Sequence, residues 1–279
     1  MKAVTGNAPF EPFFLAAGRG ERFCIFHPPA GLPRGALVYL HPFAEEMNKS
    51  RRMAAMQSRL LAARGYGVLQ IDLYGCGDSS GEFGEASWDL WKQDVALAVR
   101  WLRQRVPVPL HLWGLRLGAL LALDYAADSA EPIAGHLLWQ PVASGEAFLA
   151  QFLRVQVAAG MLGAGERVST HDLRNALKAG ATLEIGGYDF TPAMADAIEG
   201  LKLSALAPRT ASVRWLEIAP EANRSLSPAS RRIADAWAAS GVDIEVRTVA
   251  GEHFWSTIEI ADGPELLAET TRLFAGVPA

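Results

Sequence analysis

Two cysteines in 279 residues, Cys24 and Cys76, are too few and too far apart in the sequence to predict a disulfide framework or a metal cluster. A reducing compartment therefore fits the chain best. Long apolar runs are also missing: no stretch reaches the roughly 18 residues of a membrane-spanning helix, and the first residues lack the apolar core of a secretory signal. We expect a cytoplasmic protein with no transmembrane segment, no bound metal and no cofactor.

An excess of positive charge is absent as well. The net charge is −4 and charged residues make up 20% of the chain, which gives no electrostatic reason to expect nucleic acid or an anionic membrane surface as a partner. The short basic stretch at residues 49–52 is typical of a solvated helix start. Apolar residues make up 50% of the chain, so a single α/β domain with an insertion can bury a sizeable core.

Strand-like apolar runs alternate with helical patterns along most of the chain, which predicts a doubly wound, mostly parallel sheet. The predicted strands span residues 36–40, 67–72, 110–113, 133–139, 213–219 and 244–249. The predicted helices span residues 47–64, 87–105, 117–127, 227–240 and 264–274.

From residue 142 to residue 206 this alternation gives way to mainly helical segments, with one possible strand at 182–185. An insertion at this point would sit over the carboxyl ends of the strands, where open α/β sheets bind ligands. We therefore predict a core formed by residues 1–141 and 207–279, and a mainly helical lid at 142–206. The alternative is a helical extension that contacts no pocket.

Residues 110–118 form the most informative motif, a short apolar strand that runs into a turn between Gly114 and Gly118 and then into a helix. This pattern resembles the Gly-x-Ser-x-Gly elbow of α/β-hydrolases, where the middle residue lies on a strained turn and points into the pocket above the sheet. Arg116 occupies the position of the serine. A guanidinium has five donors, no acceptor and a permanent charge, so it can neither attack a carbonyl nor act as a base.

Three further segments match the plan of an α/β-hydrolase. Phe43 lies in the loop that supplies one backbone donor of an oxyanion hole, since Pro42 has no N–H, and Leu117 would supply the second donor. Residues 72–81 resemble the Asp-x-x-Gly-x-Gly-x-Ser loop of these proteins, where glycines permit tight turns. His253 follows the last predicted strand, which is the place of the catalytic histidine.

The sequence offers two candidates for the catalytic acid. Glu217 lies inside a predicted strand near its carboxyl end, and Glu221 lies in the loop just beyond. An acid inside a parallel strand needs a partner, because buried charges are seldom unpaired. Either acid would orient His253 or pair with Arg116. The structural alternatives are a surface carboxylate for each acid, and a packing or capping role for His253.

Arg116 itself needs compensation, because a buried unpaired guanidinium costs several kcal/mol. We predict a charge-assisted hydrogen bond from Arg116 to at least one of four carboxylates. By topology the nearest are those just past the predicted oxyanion loop, and the full set is Glu45, Glu46, Glu217 and Glu221. A non-glycine residue in the elbow conformation also costs about 1–3 kcal/mol, so such strain persists only where the surroundings enforce it.

Four segments together resemble a narrower family, the exosortase A system-associated hydrolase of the second type. These segments are residues 45–53, 72–79, 113–118 and 139–142. That family is assigned to the α/β-hydrolase superfamily and accompanies bacterial exopolysaccharide and protein-sorting gene clusters. The resemblance implies a fold and a context, not a reaction. It also implies that Arg116 is inherited, since the elbow serine is not the expected residue in that family.

Two functional hypotheses follow from these residues. In the first, serine chemistry is absent and the pocket binds an anionic small molecule through Arg116, such as a carboxylate or phosphate of an envelope precursor. In the second, the protein is an active hydrolase or acyltransferase for an ester or acyl substrate, and Cys76, Ser79 or an activated water acts with His253. The ligand and the oligomeric state stay open.

Four aromatic residues near the elbow and His253 either line the pocket or belong to the core. They are Trp113, Trp139, Phe254 and Trp255.

Overall fold

The computed structural model describes residues 9–162, 168–208, 211–221 and 224–275. The strands are β1 (Glu11–Ala16), β2 (Glu21–His27), β3 (Gly35–Leu40), β4 (Tyr66–Ile71), β5 (Leu110–Leu115), β6 (Gly135–Trp139), β7 (Leu183–Ile185), β8 (Tyr188–Phe190), β9 (Ser212–Ala219) and β10 (Ile244–Ala250). The α-helices are α1 (Glu45–Ala62), α2 (Trp88–Arg105), α3 (Leu117–Asp128), α4 (Gly145–Leu162), α5 (Thr170–Lys178), α6 (Pro192–Glu199), α7 (Pro228–Ala239) and α8 (Pro264–Ala275).

Eight strands form one sheet in the order β1-β2-β4-β3-β5-β6-β9-β10. Within this sheet, the neighbouring strands β4, β3, β5, β6, β9 and β10 pair in parallel. The pairs β1–β2 and β2–β4 are antiparallel. The predicted mostly parallel, doubly wound sheet is therefore confirmed. The predicted strands and helices that flank the insertion are all present, with ends that differ by at most two residues.

The sheet is buried on both faces, which explains the continuous apolar runs of its central strands. Side chains alternate between two core clusters: Leu37 of β3 packs with α1 and α8, whereas its neighbour Val38 packs with α2 and α3. Trp113 and Trp139 are fully buried on the α1/α8 side, with ring centroids 4.7 Å apart. These two tryptophans therefore belong to the core and line none of the cavities described below.

The β1–β2 hairpin was not predicted, since the first predicted strand begins at residue 36. Residues of β2 alternate between exposed or half-buried and buried positions, and Cys24 and Phe26 point into the core. This period of two is the signal that indicates a strand packed on one face. The hairpin extends the sheet beyond β4.

Helices α4, α5 and α6 and the β7–β8 hairpin lie between β6 and β9 in the chain. The hairpin replaces the single strand expected at 182–185, and its two-residue turn is Gly186-Gly187 with positive φ values of 59° and 85°. Consecutive glycines of this kind predict a hairpin, because glycine reaches positive φ without steric cost. Helix α4 contacts α5, α6 and β7, which makes it the central element of the insertion.

None of the helices in the described parts of the chain combines the length and the apolarity required to cross a bilayer.

His136 of β6 is a buried histidine, and neither ring nitrogen has a hydrogen-bond partner among the described residues. Burial lowers its pKa from 6.5 to about 3, and the neighbouring His111 adds to this effect. Between about pH 3 and pH 6.5, His136 is therefore protonated in the unfolded chain but neutral in the folded chain. The free energy of unfolding therefore decreases as the pH falls from 6.5 towards 3.

We expect a His136→Leu variant to depend less on pH than the wild type. Between about pH 7 and about pH 4.5, the free energy of unfolding should fall by about 2–3 kcal/mol less in the variant. Urea denaturation followed by tryptophan fluorescence measures this difference. His171→Leu is the control, because the His171 side chain is 81% exposed. Equal pH dependence in His136→Leu and the wild type would contradict the prediction.

Candidate functional site

The turn from β5 to α3 keeps the strained elbow conformation, with φ 55° and ψ −118° at Arg116. Its two glycines are required by close approach of the backbone. A Cβ on Gly114 would lie 2.4 Å from the Cα of Ala119, and a Cβ on Gly118 would lie 2.3 Å from the carbonyl oxygen of Leu40. The spacing of these glycines therefore brings α3 tightly against the ends of β3 and β5 and directs Arg116 above the sheet.

Arg116 forms an ion pair with Glu46, in the first turn of α1. Both contacts use one carboxylate oxygen: Nη2 lies 3.3 Å and Nε 3.4 Å from Oε1 of Glu46. The guanidinium carbon also lies 5.3 Å from the ring centroid of Trp255, within the range of a cation–π contact. The side chain of Arg116 is only 13% exposed, so the carboxylate and the ring fix the guanidinium at the wall of a pocket.

Only half of the Glu46 carboxylate is used in this pair. Its Oε2 atom is buried, and within the described ranges it has no hydrogen-bond partner. Burial raises the pKa of Glu46, although Arg116 opposes this shift through its charge and its hydrogen bond. The pair is thus weaker than a bidentate arginine–carboxylate pair, in which each oxygen accepts its own N–H.

The other three acids considered from the sequence do not contact Arg116. Glu45 is exposed, and its Oε2 accepts hydrogen bonds from Asn48 at 3.0 Å and from the Tyr188 hydroxyl at 3.4 Å. Glu217 is buried, and burial raises its pKa although Ser230 and Ser227 hydrogen-bond to it. Glu221 is exposed in the loop after β9.

His253 follows β10, as the sequence predicts, but its described contacts include neither Glu217 nor Glu221. Its Nε2 lies 3.2 Å from the carbonyl oxygen of Ile218, and its ring stacks on Trp255 at 4.8 Å. The ring of Trp255 thus contacts both His253 and Arg116. A histidine held by a carbonyl and an indole has no carboxylate to orient it as a general base.

Phe43 and Leu117, the two predicted backbone donors, border the same small apolar cavity of about 10 Å³, which is room for about one water. The ring of Phe43 packs against three phenylalanines of the insertion, at 5.1–5.8 Å from Phe148, Phe152 and Phe190. These contacts anchor the insertion over the carboxyl end of β3. The role of the two N–H groups as oxyanion donors remains a prediction.

Two larger cavities meet helix α4. One, of about 370 Å³, has a mixed lining whose polar members include Arg116, Gln140, Gln151, Glu217, Ser227 and Ser230; it is the more polar of the two and is called the polar cavity. The other, of about 260 Å³, has a mainly apolar lining that includes Phe43, Phe148, Phe152, Tyr188, Trp255 and Glu46. Phe148 and Gln151 of α4 border both cavities. Arg116 therefore faces the polar cavity, whereas Glu46 faces the apolar one.

Sequence reasoning missed Gln140, which follows β6 and has a positive φ of 44°. Its side-chain Oε1 accepts a hydrogen bond of 2.7 Å from the backbone N–H of Ile218. The signal was an amide side chain directly after a buried strand, where polar residues face the pocket of an α/β sheet.

Cys76 and Ser79, the two alternative nucleophiles, have structural contacts in the glycine-rich loop. The Ser79 hydroxyl donates to the carbonyl oxygen of Asp72 at 2.6 Å and accepts from the N–H of Phe23 at 2.9 Å. Cys76 is buried, and burial raises the pKa of its thiol far above the usual range. A thiol in this environment stays protonated and is a poor nucleophile.

Comparison with known proteins identifies relatives of this fold. The family model described as serine aminopeptidase, S33 (Hydrolase_4) matches residues 31–175, which is just over half of the chain. A curated relative, the lysophosphatidylserine lipase ABHD12 of Danio rerio, is 28% identical over 132 residues. That match spans 40% of this chain and only 33% of the relative's length.

Solved structures match nearly the whole chain at low identity. A carboxyl esterase from Bacillus coagulans is 13% identical with a TM-score of 0.67, and the match covers 96% of this chain and 98% of the esterase. Est1E from Butyrivibrio proteoclasticus, with bound ferulic acid, is 15% identical with a TM-score of 0.64, over 94% and 97% of the two chains. A monoglyceride lipase from Saccharomyces cerevisiae is 14% identical with a TM-score of 0.64, over 98% and 96%.

The matched segment includes β3, β4 and the elbow, and the solved structures share the fold over nearly the whole chain. The protein has the α/β-hydrolase fold and belongs to the serine aminopeptidase S33 family of hydrolases.

Proposed function

We propose that this protein binds an anionic small molecule through Arg116 and does not carry out serine-based acyl transfer. One observation carries the proposal: a guanidinium, not a hydroxyl, occupies the strained elbow and lines a cavity of about 370 Å³. The esterase-like and lipase-like fold is retained, and the group at the position of the nucleophile has changed.

The elbow strain supports a function for this position. The backbone N–H of Arg116 donates to the carbonyl oxygen of Trp139 at 3.0 Å, and its carbonyl accepts from the N–H of Ala119 at 3.1 Å. These bonds hold a non-glycine residue at positive φ at a cost of about 1–3 kcal/mol. Strained residues cluster at binding and active sites, which supports a binding role for Arg116.

Glu46 does not use all the N–H donors of the Arg116 guanidinium. Glu46 takes Nε and Nη2 through a single oxygen at long distances, and Nη1 has no hydrogen bond to any residue that the structure describes. A ligand carboxylate or phosphate can bind two such N–H groups in parallel, with shorter and stronger bonds. The ring of Trp255, 5.3 Å from the guanidinium carbon, would help to hold Arg116 in place while the ligand replaces Glu46.

Replacement of Arg116 by alanine should abolish anion binding. We expect glucuronate or another acidic sugar to raise the melting temperature of the wild type, because a ligand that binds only the folded state stabilises it by about 2.7 kcal/mol at 100 times its dissociation constant. The same titration of Arg116→Ala should give no shift. Arg105→Ala is the matched control, because Arg105 forms an exposed ion pair with Glu11. Equal shifts in wild type and Arg116→Ala would count against the proposal.

The catalytic alternative is tested on the same samples. If the wild type hydrolyses an activated ester and His253→Ala removes this turnover, the protein is an enzyme with a replacement nucleophile or an activated water. The contacts of Cys76, Ser79 and His253 do not favour this outcome.

The resemblance to the exosortase A-associated hydrolases supports two further parts of the proposal. The ligand would belong to the envelope chemistry of bacterial exopolysaccharide or protein sorting, and the protein would act in the cytoplasm. Residues 142–206 would act as the lid, since α4 borders both cavities and the Phe43 contacts fix this segment over the core.

A further inference from the structure

The geometry points to Gln140 as the second ligand-binding residue of the Arg116 site, and to a monovalent carboxylate on a hydroxyl-bearing molecule as the ligand. This inference rests on the proposed function and deepens it. It assigns a residue that neither the elbow motif nor the catalytic triad pattern includes.

Arg116 and Gln140 are lateral neighbours at the ends of two paired strands. Strands β5 and β6 are parallel, with Leu115 opposite Trp139. Arg116 directly follows β5 and Gln140 directly follows β6, so the two residues lie side by side. The hydrogen bond from Arg116 N–H to Trp139 O continues this pairing to the end of the strands. Both residues have positive φ, 55° and 44°, and both line the polar cavity.

The side chain of Gln140 is fixed so that its donor group is left for a ligand. Its Oε1 accepts from the N–H of Ile218 at 2.7 Å, which also settles which end of the amide is the oxygen, because a backbone N–H requires an acceptor. The amide NH₂ then points away from Ile218, and none of the hydrogen bonds among the described residues uses it. An anion that binds Arg116 can accept from this NH₂ as well.

The charge balance of the cavity favours one negative charge on the ligand. Arg116 contributes one positive charge, and Glu46 already neutralises part of it. The same cavity contains the buried carboxyl of Glu217. A dianionic phosphate would add two negative charges beside these acids, whereas a carboxylate adds only one and is therefore repelled less.

The polar side chains of the cavity can bind hydroxyl groups of the ligand. Arg116 and Gln140 border the polar cavity and do not border the apolar one, so a carboxylate held by both has its body in the polar cavity. The lining there combines polar side chains, such as Gln151 and Ser230, with apolar ones. Amide and hydroxyl side chains hydrogen-bond well to sugar hydroxyls. The cavity of about 370 Å³ is in the size range of small-molecule sites.

The test compares Gln140→Glu with the wild type by isothermal titration calorimetry, with glucuronate, glucose, octanoate and inorganic phosphate as probes. Glutamate keeps an oxygen to accept from Ile218 N–H but replaces the NH₂ donor with a negative oxygen. We expect glucuronate to bind the wild type most tightly of the four probes, and its affinity for Gln140→Glu to fall at least about 10-fold. Gln93→Glu is the control, because it makes the same charge change on an exposed residue outside this cavity. Its affinity for glucuronate should stay within about twofold of the wild type.

Each result decides a different part of the inference. Glucuronate binding that needs Arg116 but is unchanged in Gln140→Glu overturns the role of Gln140 and leaves the proposed function intact. Tighter binding of octanoate or phosphate than of glucuronate overturns the ligand class. No binding of any anion to the wild type overturns both proposals.

A crystal structure of the wild type soaked in glucuronate gives a readout that needs no variant. Carboxylate oxygens within about 3.2 Å of both Arg116 and Gln140 Nε2 are the expected result. A carboxylate on Arg116 alone would overturn the role of Gln140.

Discussion

Replacement of Asp94 by alanine is expected to lower the free energy of unfolding by about 3–5 kcal/mol, because it leaves a buried guanidinium without its counter-charge. Arg22 of β2 and Asp94 of α2 form this pair, with 2.7 Å between Nε and Oδ1. Their side chains are only 1% and 3% exposed. Urea denaturation followed by the fluorescence of the eight tryptophans measures the loss.

The pair also anchors the start of the glycine-rich loop. The second oxygen of Asp94 accepts the backbone N–H of Tyr74 at 2.8 Å, and the guanidinium of Arg22 lies 4.7 Å from the centre of the Tyr74 ring. Loss of Asp94 therefore removes a charge partner and a backbone acceptor together. Burial of an unpaired N–H adds about 1–3 kcal/mol to such a loss.

Two variants separate the ion pair from a general effect of substitution. Arg22→Met combined with Asp94→Leu removes both charges and should recover the part of the lost stability that comes from the unpaired guanidinium, because an apolar pair needs no counter-charge. The part that comes from the unpaired N–H of Tyr74 should not be recovered. Glu11→Ala breaks the exposed pair with Arg105 and should cost less than about 1 kcal/mol. A double variant as unstable as Asp94→Ala would show that the charge imbalance is not the cause.

The fold could be predicted where burial leaves a strong pattern in the sequence. Strands β3, β5 and β6 are buried on both faces and read as apolar runs, and the two glycines of the elbow are enforced by backbone contacts. The β1–β2 hairpin was missed because β1 is an edge strand with mixed exposure, which gives a weak apolar signal. The β7–β8 hairpin was predicted only as a single strand, because its two strands have three residues each and are too short to show a periodic pattern.

The site was less predictable, because the direction of a side chain depends on tertiary packing. Glu45 and Glu46 are consecutive on α1, so they point about 100° apart around the helix axis. One contacts Arg116, and the other contacts Asn48 and Tyr188. Topology placed both near the elbow but could not choose between them. Gln140 was missed for a similar reason: nothing in its local sequence shows that its oxygen bonds to Ile218 on β9.

Replacement of Glu46 by glutamine should tighten the binding of a carboxylate such as glucuronate by about 10-fold, or about 1.4 kcal/mol. In the wild type the ligand must compete with Glu46 for the N–H groups of Arg116. Glutamine keeps an oxygen to accept from Arg116 but removes the negative charge. In the variant, the guanidinium exchanges a neutral amide oxygen for the charged carboxylate of the ligand. This exchange is more favourable, since hydrogen bonds to a charged acceptor are about twice as strong as those to a neutral one.

Isothermal titration calorimetry on wild type, Glu46→Gln and Glu45→Gln measures this effect. Glu45→Gln is the matched control, because it removes the same charge one residue away, from a carboxylate that contacts Asn48 and Tyr188 instead of Arg116. Its affinity for glucuronate should stay within about twofold of the wild type. Mild acid should act on the wild type as the Glu46→Gln substitution does, because burial raises the pKa of Glu46 and protonation removes its charge as the pH falls.

Glu46→Gln should therefore bind glucuronate with less dependence on pH than the wild type. Weaker binding in Glu46→Gln would mean that Glu46 orients Arg116 for the ligand and does not compete with it. The pair would then be a positioning device, and the ligand would have to bind to Nη1, the nitrogen that Glu46 leaves unused.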